Sequence, residues 1–231
     1  MTTRSWIRKL FSRTPRTIRK APARCRPGVE ALECRLTPTY TAFTQLTGAA
    51  NPFNGVNVGD VGGRSRPVLA DLDGNGTLDA VVGRADGSIS YFKNTGSATN
   101  PVFTPQTGTA NPFNAINVGA IAAPALGDVD GNGTLDLVVG NGGATLFYYK
   151  NTGTAINPVF TQKTGTDNPF NSVSVGTFTA PALGDVDGNG TLDLVVGSLG
   201  GDLNYFENTG TATSPVYTWQ QAGAANPFNG F

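Results

Sequence analysis

The sequence predicts an all-β protein: a β-propeller-like array of three four-stranded blades, preceded by an orphan N-terminal strand and a disordered basic leader. Three observations carry that prediction. The nonapeptide Asp-x-Asp-Gly-Asn-Gly-Thr-Leu-Asp opens at Asp71, Asp128 and Asp185, with 57 residues from each copy to the next. The 231 residues include 31 glycines and 15 prolines with many threonines and asparagines, a composition that suits short strands joined by turns. The segment that leaves the second and third copies, Leu-Val-Val-Gly, is β-branched, of strand length and without a helical period. Repeats of this size mean solenoids, propellers or arrays.

Taken in order, residues 1–39 read as the leader and residues 40–231 as the repeat domain, in units of roughly 55–111, 112–168 and 169–231. The zero net charge conceals two opposite parts. Residues 1–36 hold ten Lys/Arg and two Glu, whereas residues 37–231 hold six Lys/Arg and fourteen Asp/Glu. The leader has a charged start but no apolar core of signal-peptide length, and it contains both cysteines, Cys25 and Cys34. A bridge between them would close a small loop outside the domain, so they say little about redox compartment. Trp6, Ile7, Leu10 and Phe11 recur at helical spacing among basic residues, but a disordered leader is the simpler expectation. Gly28–Pro38 resembles the Leu-Glu-x-Arg-x-x-Pro leaders that precede secreted repeat proteins in some bacteria, which suggests export.

The orphan strand follows from a mismatch of counts. Asn-Pro-Phe-Asn occurs four times, at Asn51, Asn111, Asn168 and Asn226, once more than the acidic loop, and Thr41–Gly48 matches Pro158–Gly165. The chain is therefore expected to start part-way through a repeat. In the second unit the expected strands are Val118–Leu126, Leu135–Val139, Thr145–Lys150 and Val159–Lys163. Asn168-Pro-Phe170 reads as a turn that carries an aromatic plug between blades, or as plain core filling. Asn94, Asn151 and Asn208 each open an Asn-Thr-Gly, 23 residues after the first Asp of the loop.

The loop itself has calcium-ligand spacing. Calcium takes about six to eight oxygen ligands, and alternating carboxylates and amides with turn-forming glycines can supply them. The expected ligands are Asp71, Asp73, Asn75, Thr77 and Asp79; Asp128, Asp130, Asn132, Thr134 and Asp136; and Asp185, Asp187, Asn189, Thr191 and Asp193. Position 7, the threonine, would offer its backbone carbonyl. An EF-hand is excluded, because its twelfth position should be a bidentate Glu and here is Val82, Val139 or Val196. Three acids within nine residues would repel one another without a cation. Nine of the domain's fourteen acids lie in these loops, so three calcium ions would bring its charge from −8 to −2. Nucleic acid is excluded as a partner by the missing basic footprint. Zinc has no support, with no histidine and no second cysteine pair.

Gly127–Gly140 and its copy Gly184–Gly197 resemble the FG-GAP/VCBS-type repeats of calcium-binding β-propellers, a family that includes the integrin α-subunit head. Two departures from the regular pattern are Ala70 in place of the glycine before the first loop and three extra residues between Asn51 and Asp71. The resemblance implies a four-stranded blade per repeat and ligand roles for the loop positions named above. With all identifiable chemistry in structural loops and an export-type leader, the expectation is a non-catalytic, exported, calcium-stabilised domain for adhesion or protein interaction, secreted or at the cell surface. No apolar stretch is long enough for a membrane-spanning helix. Three blades are too few for the usual closed ring, so a homo-oligomer that completes a propeller is one expectation and a part of a longer product another. A glycan-binding module is the alternative, with Tyr91, Tyr148, Tyr205 and Trp219 as stacking rings. No enzyme is expected, since identical acids recurring in every unit do not make one asymmetric catalytic constellation.

Overall fold

The computed structural model describes residues 44–59, 64–220 and 226–228. The leader, with Cys25 and Cys34, lies outside the described residues. All strands among the described residues fall in the compact unit Leu46–Phe231. The first blade consists of β1 (Arg66–Ala70), β2 (Asp79–Gly83), β3 (Ile89–Asn94) and β4 (Phe103–Gln106). The second consists of β5 (Ala123–Gly127), β6 (Asp136–Gly140), β7 (Leu146–Asn151) and β8 (Phe160–Lys163), and the third of β9 (Ala180–Gly184), β10 (Asp193–Gly197), β11 (Leu203–Asn208) and β12 (Tyr217–Gln220). Each blade is an antiparallel meander in which every strand pairs with its neighbour in sequence.

The expected strand Val118–Leu126 is shorter than predicted. It begins at Ala123, because Ile121 lies at φ 55° and the chain turns before it can join a ladder. Such a conformation is costly for a β-branched residue. It is held by backbone bonds to the first blade, Ile121 N–H to the Ala85 carbonyl at 2.9 Å and Ala122 N–H to the Arg84 carbonyl at 2.9 Å. Phe178, the same repeat position in the third unit, has φ 58°. Of the expected orphan strand, Thr44–Thr47 are described and lie in no strand; residues 41–43 lie outside the described residues. Its equivalent β8 is a strand through its pairing with β7.

Alternation is lost in β2 and β6 because successive residues enter different apolar clusters, Val81 one and Ala80 and Val82 another, Leu137 and Val139 one and Val138 another. All five residues of β2 and of β6 are buried. Two apolar clusters join consecutive blades. One unites Val81, Ile89 and Tyr91 with Phe113, Leu137 and Tyr149, and the other unites Val138, Leu146 and Tyr148 with Phe170, Leu194 and Phe206. Two of the four Asn-Pro-Phe segments, at Asn111 and Asn168, supply a ring between blades, as expected of the motif. Asn111 Nδ2 donates to the Ile89 carbonyl at 3.2 Å, and Phe113 N–H donates back to Asn111 Oδ1 at 3.0 Å. That clamp sets Phe113 between Tyr91 of the first blade and Phe160 of the second. Phe170 stands in the same way between Tyr148 and Tyr217.

The blades approach so closely that two strand-end glycines are sterically required. A Cβ on Gly83 would overlap the Ala122 carbonyl oxygen, and one on Gly140 the Thr179 carbonyl oxygen. At the equivalent Gly197 the nearest atom is 3.8 Å away. Gly140→Ala is therefore expected to cost about 1–3 kcal/mol by overpacking, while Gly197→Ala stays within about 0.5 kcal/mol of the wild type. Urea denaturation of the two variants checks this, and equal midpoints would contradict the packing described. The third blade differs in one described side chain at the start of its third strand. Leu203 is 50% exposed, whereas its counterparts Ile89 and Leu146 are 4% and 2% exposed.

Candidate metal centre

Each acidic loop connects the first two strands of a blade: 71–78 joins β1 to β2, 128–135 joins β5 to β6 and 185–192 joins β9 to β10. The loop is strand-to-strand in all three copies. Its glycines take positive φ, 64° at Gly131 and 84° at Gly133 for example, which L side chains resist. That curl points successive backbone N–H groups inward.

The first aspartate accepts from those amides. Asp128 takes Asn132 N–H at 2.9 Å and Gly133 N–H at 2.8 Å; Asp71 takes Asn75 N–H at 3.0 Å and Gly76 N–H at 2.8 Å. Asp185 takes Gly188, Asn189 and Gly190 N–H within 3.0 Å. The asparagine Oδ1 accepts from the threonine two residues on, through its N–H at 2.8 Å and its hydroxyl at 2.5 Å in the first two loops. The loop is thus closed by Asx turns in addition to any ion.

The last aspartate has a different setting. Asp79, Asp136 and Asp193 are fully buried. Asp136 accepts from Val129 N–H at 3.2 Å, from the Tyr148 hydroxyl at 2.9 Å and from Asn151 N–H at 2.7 Å. The other two copies repeat all three bonds. Burial pushes the Asp136 carboxyl up, the bonds from Asn151 and Tyr148 pull it down, and the Asp130 charge adds to the rise; the balance is upward. Burial and the adjacent carboxylate push the Tyr148 phenol far above its ordinary value, so it stays a donor. Asn151 completes the frame: its Oδ1 accepts from Gly153 and Val159 N–H, each at 3.0 Å, which accounts for the fixed spacing of Asn-Thr-Gly and Pro-Val in each repeat.

These bonds correct two expectations. The acids are not unpaired: backbone amides, a tyrosine and, in two copies, a lysine face them. Lys93 Nζ lies 2.5 Å from Asp73, and Lys150 pairs with Asp130. Tyr91, Tyr148 and Tyr205 are 5%, 3% and 1% exposed, so none can stack on a sugar. Trp219 is half exposed, over Phe206. Sequence reasoning missed the tyrosine–aspartate–asparagine network and the lysines. The constant aromatic pair before each Asn-Thr-Gly, at constant distance from the last aspartate, was the available signal.

Two loops still gather an oxygen donor set. Carboxylate oxygens of Asp128, Asp130 and Asp136 lie within 4.8 Å of one another, as do those of Asp185, Asp187 and Asp193. Among the described residues these are the gathered triads, and Asp71, Asp73 and Asp79 are not so closely drawn together. Asp130 Oδ1 is buried and has no hydrogen-bond partner. A carboxylate has about four lone-pair positions, so acceptor capacity remains after the bonds above. Hard, anionic oxygens with a free buried atom fit a calcium-type ion.

Family comparison agrees with this geometry. The FG-GAP-like repeat model matches residues 71–139 and 128–196, and the FG-GAP repeat model matches residues 177–219. No curated protein matches the chain.

Proposed function

The chain belongs to the FG-GAP-like repeat family, and on that premise we propose that it is a non-catalytic, exported interaction domain whose blades are clipped by calcium. The observation that supports this reading best is the pair of gathered aspartate triads, each placed where the first strand of a blade turns into the second. Repeats of this family suggest use in protein or adhesion contacts. Secretion or display at the cell surface accords with a calcium-rich setting and with the export-type motif at Gly28–Pro38. No helix among the described residues is long and apolar enough to cross a membrane.

In this reading Asp128, Asp130 and Asp136, and Asp185, Asp187 and Asp193, hold the ions, with Asn132, Asn189 and the carbonyls of Thr134 and Thr191 as further donors. The Asp71 loop takes the third ion once Asp73 turns from Lys93. The ion supplies positive charge to carboxylates that the fold has drawn together and so fixes the turn between the first two strands. Half-exposed Leu203 on the third blade offers apolar surface for a protein partner or a second copy of the chain.

Calcium that binds the folded but not the unfolded chain raises stability by about 2.7 kcal/mol at a hundredfold excess over Kd. Melting of the full chain with calcium and with EGTA is therefore expected to differ by several degrees, with magnesium less effective. Identical melting curves in the two buffers would remove the calcium role.

A further inference from the structure

The three loops are built from nearly the same nonapeptide, yet they face different charges. At one repeat position, preceding the Asn of Asn-Thr-Gly, the residues are Lys93, Lys150 and Glu207. Their strand registers are equivalent: Lys93 lies opposite Thr104, Lys150 opposite Thr161 and Glu207 opposite Thr218. In the first two repeats the ammonium group reaches the third-position carboxylate of the loop, Asp73 or Asp130. In the third repeat no described cation pairs with Asp187. Asn189 Nδ2 donates to it at 2.9 Å instead, and Glu207 turns to Gln220 Nε2 at 2.8 Å.

A second difference runs in the same direction. The first two loops are abutted by the following blade: a side chain added at Gly74 would meet Ile156, and one at Gly131 would meet the Ala212 backbone. At Gly188 nothing lies within 4 Å. Correspondingly, Asp185 and Asp187 are exposed, whereas Asp128 and Asp130 are half-buried.

We propose that Lys93 and Lys150 are tethered counter-ions that supply part of the positive charge their loops require, leaving the third loop, which has Glu207 in their place, as the principal calcium-responsive site. An ammonium group in contact with a ligand carboxylate must be displaced or tolerated when a divalent ion enters, which weakens binding. A glutamate at the same position adds attraction and no competitor. The first two turns then hold their shape in the absence of metal, and the third orders when calcium is supplied. This inference rests on the calcium reading above.

The test exchanges the charges in the full chain and titrates with calcium chloride by calorimetry. Glu207→Lys is expected to weaken the tightest site by at least about tenfold, and Lys150→Glu to strengthen a weaker one by a similar factor, both effects shrinking in high salt. Melting in EGTA reads the counter-ion role without metal: Lys93→Met and Lys150→Met should lower the midpoint, and Glu207→Lys should raise it. All three side chains lie at the surface edge of the loops, so the variants are expected to fold. Equal affinities in wild type that ignore both exchanges, together with unchanged metal-free melting, would overturn this inference and leave the calcium reading standing. Absence of any calcium binding to the wild type would overturn both.

Discussion

Asp136→Ala is expected to lower the stability of the repeat domain by about 3–5 kcal/mol, even in the presence of a chelator. The carboxylate is fully buried and accepts from Val129 N–H, the Tyr148 hydroxyl and Asn151 N–H. Alanine leaves these donors without an acceptor inside the protein, at about 1–3 kcal/mol for each buried group left unsatisfied, with some relief from water. For a domain of this size each kcal/mol shifts the midpoint by about 2–4 °C, so Tm should fall by roughly 6–20 °C. Tyr148→Phe removes one of the three bonds and should cost about 1–2 kcal/mol. Asp128→Ala gives the contrast, since its partners are amides of an exposed turn, and in chelator its cost should stay near 1 kcal/mol. Chemical denaturation of the three variants in EGTA separates the roles. If Asp136→Ala and Asp128→Ala cost the same, and only when calcium is present, the last aspartate is a ligand and not the strut described here.

That distinction marks where the sequence was legible. The repeat length, the strand content, the position of the acidic loop between two strands and the aromatic plug were all readable, because each leaves a local trace. Leu-Val-Val-Gly reads as a strand, and Gly-Asn-Gly as a tight turn. The start of β5 was misread because Ile121 is apolar and looks like strand, while its positive φ is imposed by bonds to Ala85 and Arg84 from another blade. Neither could the acids be assigned roles. Asp128 and Asp136 are the same residue type eight positions apart, yet one lies in a nest of its own loop's amides and the other beneath a tyrosine 12 residues further on. The counter-ions were hidden for the same reason: Lys93 lies 20 residues from Asp73 in sequence and is brought to it only by the third strand of the blade.

Phe170→Ala is expected to cost about 3–5 kcal/mol and, beyond that, to loosen the third blade from the second. The ring is 1% exposed and lies 5.9 Å, edge to face, from Tyr148 and 4.6 Å from Tyr217. Asn168 holds it there, since its side chain bonds both the Leu146 carbonyl and Phe170 N–H. Removing the ring opens a cavity at the seam where the clusters of two blades meet. In a repeat array cooperativity depends on the interfaces between neighbours, so a weakened seam should appear as a broadened or two-step urea transition in addition to a lower midpoint. Phe170→Leu, which keeps most of the apolar volume, should recover all but about 1–2 kcal/mol and restore a single step. Phe53→Ala supplies the comparison: the same motif, but a ring 40% exposed and stacked on Phe103 alone, on the outer face of the first blade. Its loss should cost about 1 kcal/mol with the transition still single. Should Phe53→Ala and Phe170→Ala prove equal in cost, the four Asn-Pro-Phe-Asn segments serve as turns only, and the blades are coupled elsewhere, through the backbone bonds that tie Ile121 and Phe178 to the preceding blade.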